Sequence, residues 1–193
     1  MKNKKKKGVM SVQAVISLLL AVALVSVLLD LLTLANRYMS LHDTVKELSR
    51  TIAVQGGCLE NKPTGYPNNY YDAVTLGKLV DNSMKVGGFQ GDYKVSITYT
   101  DFETNRTSGQ VTLDKSYTKD FIVNEGGVQN IYPTDQIDYL KDFTVTIESS
   151  YPWMFSKIQV KQKPLKISSA APGVSEWKYD YDHWDSEETA DGG

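Results

Sequence analysis

Hydrophobic and polar positions fall into three regimes along this chain. Val9 to Leu29 is an uncharged apolar run in which 13 of 21 residues are Val, Ile or Leu. At about 1.5 Å per residue it spans roughly 32 Å, the hydrocarbon thickness of a bilayer. The apolar residues supply on the order of −4 to −8 kcal/mol of insertion free energy, more than Ser11, Gln13, Ser17 and Ser26 remove. The second regime starts at Asp30. Leu31, Leu34, Tyr38, Leu41, Val45, Leu48 and Ile52 recur at alternating spacings of three and four, the stripe of an amphipathic helix. No proline interrupts before Pro63, and Gly56-Gly57 is a stop signal. The pattern predicts one helix from about Val9 to Val54, roughly 69 Å long, with a lower half in lipid and an upper half that buries its stripe.

The third regime is mixed. Residues 58 to 69 read as a loop rich in turn formers, and a short helix is expected over Asp72 to Val86 with Val74, Gly77, Val80 and Met84 on one side, closed by Gly87-Gly88. Period two then takes over. Tyr93, Val95, Ile97 and Tyr99 alternate with polar residues, as do Phe143, Val145 and Ile147, which predicts half-buried strands. A hairpin loop over Asp101 to Gly109 leads to a partner strand at Gln110 to Tyr117, and Ile158 to Ile167 gives a last strand that Pro164 breaks or places at an edge. Phe121 to Leu140 is ambiguous, with a weak strand at Phe121-Ile122-Val123 and a helical turn after Pro133. Strands without βαβ alternation give an α+β fold, a long N-terminal helix packed on a small antiparallel sheet. The expected divisions are 1–8, a basic leader; 9–30, a transmembrane helix; 31–57, its amphipathic continuation; 58–167, an outer α+β domain; and 168–193, a linker at Ala170 to Gly173 followed by an acidic, aromatic tail.

Charge orients this arrangement. Five lysines lie at positions 2, 4, 5, 6 and 7, so the remaining chain holds 16 basic and 23 acidic residues, a net of −7. Short basic flanks stay cytoplasmic, which puts the carboxyl side of the helix outside. A cleaved secretory signal would have a shorter apolar core followed by polar chain, whereas Leu24 to Leu29 stays apolar after Ala21-Val22-Ala23. Asp30 at the outer boundary is expected to face water. No basic patch suggests nucleic acid as a partner.

Chemistry is sparse. Cys58 is the sole cysteine and reads as a small, partly buried apolar residue, with intermolecular pairing as the alternative for a lone thiol, leaving no intrachain disulfide, CxxC or zinc cluster. Of two histidines, His42 is expected on the wet side of its helix and His183 in the tail, and Walker, GxGxxG and HExxH motifs are lacking. Asp180, Asp182 and Asp185 lack the glycine and glutamate of an EF-hand, and Asn105-Arg106-Thr107 matches the glycosylation pattern without further support. We therefore expect no catalytic residues, cofactor or metal. A tethered hydrolase would require a convergent acid pair or a histidine in a pocket. Gln13, four residues into the membrane, carries an amide that gains by bonding to another helix or to headgroups.

A short lysine-rich leader ending in glycine, an apolar helix continuing into an amphipathic one, and a small outer α+β domain together resemble type IV pilin-like proteins. The order is most similar to TadE-type minor pilins, or pseudopilins, of tight-adherence pilus systems, over Lys4-Lys5-Lys6-Lys7-Gly8-Val9-Met10-Ser11-Val12-Gln13-Ala14-Val15. The resemblance implies a membrane peptidase of the prepilin type cutting between Gly8 and Val9, and partners among membrane lipid and other pilin-like subunits. Family members usually carry glutamate five residues into the mature chain; this chain has Gln13, which can hydrogen-bond to a neighbouring helix but cannot pair by charge. The expected function is a non-enzymatic structural subunit of a pilus or secretion apparatus. The alternative is an unprocessed, single-pass anchored binding or accessory module on the outer face.

Overall fold

A computed structural model describes residues 2–62, 70–89, 91–101, 115–137, 139–151 and 164–176. Helix α1 runs without a break over Lys2–Gln55, about 81 Å at 1.5 Å per residue. It begins earlier than the apolar pattern alone predicts, taking in the lysine leader; lysine is a good helix former and one glycine costs only about 1 kcal/mol. At the other end Gly56 takes φ 70°, and the N–H groups of Gly56 and Gly57 both donate to the Ile52 carbonyl at 2.8 and 3.2 Å. The helix ends at the glycine pair that the sequence marks as its stop.

Helix α2 covers Ala73–Val86. Asp72 caps it by accepting from the Thr75 N–H at 2.6 Å, which holds the Asp72 carboxyl below its ordinary pKa. Its buried side is Ala73, Leu76, Gly77, Val80 and Met84; Val74, expected on that side, points to solvent. Val74 lies one position beyond Ala73, about 100° around the helix, so only one of the two can join the Leu76-Val80 face.

Five strands follow: β1 Tyr93–Asp101, β2 Lys115–Glu125, β3 Val128–Ile131, β4 Asp142–Tyr151 and β5 Leu165–Val174. All pairings are antiparallel, in the order β3-β2-β1-β4-β5. Val95, Ile97, Phe143, Val145 and Ile147 form the buried face, and α1 and α2 cover it. The ambiguous stretch resolves through a β-bulge. Between the pairs Val95↔Ile122 and Ser96↔Asp120, Phe121 is an extra residue in β2, and Phe121 and Ile122 are both buried. An extra residue breaks strict alternation, so one continuous strand reads in sequence as two fragments. No helix follows Pro133 among the described residues; residues 132–137 have no regular structure.

The last strand also differs from expectation. It occupies Leu165–Val174, taking in the segment read as a linker, so the division between 167 and 168 falls inside a strand. Its small residues suit a close approach to α1. A Cβ on Gly173 would lie 2.5 Å from Phe143 Cζ and 2.8 Å from Ser49 Oγ. Pro172 has no N–H to lose at a sheet edge, and its carbonyl accepts from Ser49 Oγ at 3.0 Å. The hairpin loop at 102–109, the Gln110 to Asp114 part of its expected partner, and Ile158 to Lys163 lie outside the described residues, as do Asn105-Arg106-Thr107 and the tail from Trp177 onward.

Candidate functional site

The two halves of α1 meet different surroundings. Val12 and ten further large apolar residues up to Leu29 are 51–66% exposed, whereas Leu41, Val45 and Ile52 are fully buried and Leu48 nearly so. The helix is long and apolar enough to cross a membrane once. Gln13 is exposed on its side, Ser26 Oγ donates to the Val22 carbonyl at 2.8 Å, and Thr33 Oγ1 to that of Leu29 at 2.9 Å. Back-bonding satisfies those hydroxyls without a partner chain. Gly8 and Val9 lie within the helical backbone near its start.

The apolar stripe does not follow the sheet for its whole length. Leu31 is 53% and Tyr38 47% exposed, and the partly buried positions there are Asp30, Leu34 and Arg37. A strict seven-residue repeat drifts by about 20° per heptad around a straight helix, so from Ile52 down to Leu31 the stripe turns by about 60°. The sheet-facing line therefore leaves Tyr38 and Leu31 and passes through Arg37 and Asp30. The charges are used. Asp30 accepts from the Tyr151 hydroxyl at 2.6 Å, and the Arg37 guanidinium lies 5.0 Å from the centre of the Tyr151 ring. Burial and then the Asp30 carboxylate raise the Tyr151 pKa. Instead of simply facing water, Asp30 ties the lower end of β4 to the helix.

Higher up, His42 is not a free surface residue either: it stacks on Tyr38, and its Nδ1 lies 3.0 Å from Ser169 Oγ on β5. This pair has the reach of a base and a nucleophile, but its setting differs from a catalytic one. His42 lines a groove of about 410 Å³ between α1 and β5, while Ser169 is nearly buried and does not line it. A third group orienting the imidazole is lacking among the described residues.

The helix top is fixed by backbone bonds. Ile137 N–H donates to the Gly56 carbonyl at 2.7 Å, Thr134 N–H to that of Cys58 at 2.9 Å, and Glu176 N–H to that of Ala53 at 2.8 Å. Buried Ser175 donates through Oγ to the Ile137 carbonyl at 2.8 Å. Cys58 is fully buried, and burial pushes its thiol pKa far up, so it packs as a small apolar residue. Sequence reasoning missed Tyr151, Arg37, Ser49 and Ser169, whose roles depend on which strand meets which turn of the helix. No protein-family model, curated protein or solved structure matches the chain.

Proposed function

We propose that this chain is a non-enzymatic, pilin-like structural subunit of a pilus or related secretion apparatus. Its amino terminus would lie in the cytoplasm and its α+β domain outside, with processing between Gly8 and Val9. The observation that carries this reading is the single helix that is bare and apolar over 12–29 and locked under a sheet over 41–55. A tether needs no such rigid continuity, because a loop between anchor and domain would serve. A helix continuous through both regions transmits the position of its lower half directly to the outer domain, which suits a subunit set among similar helices. Gln13 supplies an exposed amide in the lower half that would bond to a neighbouring helix.

Mass spectrometry of the membrane-extracted protein, coexpressed with a prepilin-type peptidase, tests the reading. A mature amino terminus at Val9, lost in Gly8→Leu, supports it. An intact amino terminus under active peptidase removes processing and leaves the anchored accessory module.

A further inference from the structure

The groove between α1 and β5 carries two basic side chains, Lys46 and Arg50, on its helical wall. His42, Lys46, Ser49, Arg50 and Ala53 recur at helical spacing along one wall, and residues 170–174 form the other. Neither Lys46 nor Arg50 forms an ion pair with a described residue, although both are exposed on the same face one turn apart. We infer that this groove takes the chain's own acidic C-terminal segment, beginning at Trp177.

Three observations converge on that occupant. The first is position: Glu176, itself part of the groove lining, is fixed by its N–H to the Ala53 carbonyl at 2.8 Å, so the segment starts at the groove's upper end. The second is length. From Ala53 down to His42 is about 17 Å of helix, which five or six extended residues cover, and 17 residues follow Glu176. The third is charge and period. Residues 177–193 hold six acids against one lysine, and Trp177, Tyr179 and Tyr181 alternate with Lys178, Asp180 and Asp182, the period of a strand with an acidic face. In the proposed arrangement an extended segment turning back along β5 would bring Asp180 and Asp182 to the level of Lys46 and Arg50 and would cover the edge of the sheet below Pro172.

Zero-length carbodiimide coupling of the full chain in detergent, read by peptide mapping, tests this. Lys46 should couple to Asp180, Asp182 or Asp185 well above exposed Lys78, which lies on α2 away from the groove. Arg50→Glu leaves Lys46 in place and should lower the coupled fraction about five-fold, as should about 1 M salt, where the Debye length is about 3 Å. Both residues are exposed, so thermal unfolding confirms that the variant remains folded. Coupling of Lys46 no greater than that of Lys78, or no change in Arg50→Glu, overturns the inference. In a mixture of heavy- and light-isotope chains, coupled peptides that join heavy to light overturn it equally, because the occupant is then another copy.

Discussion

The lower and upper halves of α1 belong to one unbroken helix and meet opposite fates. Between Val12 and Leu29 every large apolar side chain except Val27 is more than half exposed, while between Leu41 and Ile52 the stripe is sealed under β4 and β5. Composition explains only part of the difference. The lower half is apolar on every side, so no single face could be satisfied by a sheet, and it suits a solvent that is apolar all round. The upper half is apolar on one side, and the sheet supplies that side. Between them lies a short zone from Asp30 to Ser40 where the stripe rotates off the contact line and a carboxylate, a guanidinium and a tyrosine take over.

The comparison can be broken most severely from below. Leu20→Arg with Leu24→Arg adds about 6 kcal/mol to the transfer of the lower half into a bilayer. Carbonate extraction should then release a chain that stays in membranes when unmodified, while the melting of the outer domain is unchanged. Above the junction, Ile52→Ala should cost about 2–5 kcal/mol in denaturant unfolding, whereas Leu31→Ala, on the same stripe but off the contact line, should stay within about 0.5 kcal/mol. Equal effects would show that the stripe does not rotate away from the sheet.

Gly173→Val should destabilise by about 1–3 kcal/mol, since the added carbon meets Phe143 and Ser49 where α1 crosses β5. Smaller again, Tyr151→Phe should cost about 1–2 kcal/mol and speed hydrogen exchange around Asp30 to Arg37 without affecting the helix top. The pH dependence has a definite sign. The Tyr151 pKa is raised in the folded state, so its contribution is complete below the ordinary value of 10 and is lost as pH rises above it. An alkaline loosening absent in Tyr151→Phe would show this.

Much of the fold was legible because periodicity reports burial. The upper half of α1, α2, β1 and β4 each follow from one uninterrupted period, and the glycine pair at 56 and 57 marks the helix stop. Elements with a local break were harder to read. Phe121 hides inside a bulge, so β2 reads as fragments. Ala170 to Gly173 has the composition of a linker, yet at an edge strand under a helix those small residues permit close approach and the proline loses nothing. At the junction the stripe was visible but its rotation was not, because a sequence gives the spacing of apolar residues while the straightness of the helix decides where they face. Asp30 and His42, each read as solvated, found partners more than 100 residues away, on β4 and β5.

The most direct test places nitroxide labels singly at positions 15, 18, 20, 22, 24 and 54 of the full chain in lipid vesicles. Cys58, buried and with its thiol pKa raised, stays unlabelled. The two-solvent account predicts that labels from 15 to 24 relax with dissolved oxygen and resist a water-soluble nickel complex, with Val54 showing the reverse. Nickel access at 18 to 24 equal to that at 54 would contradict it.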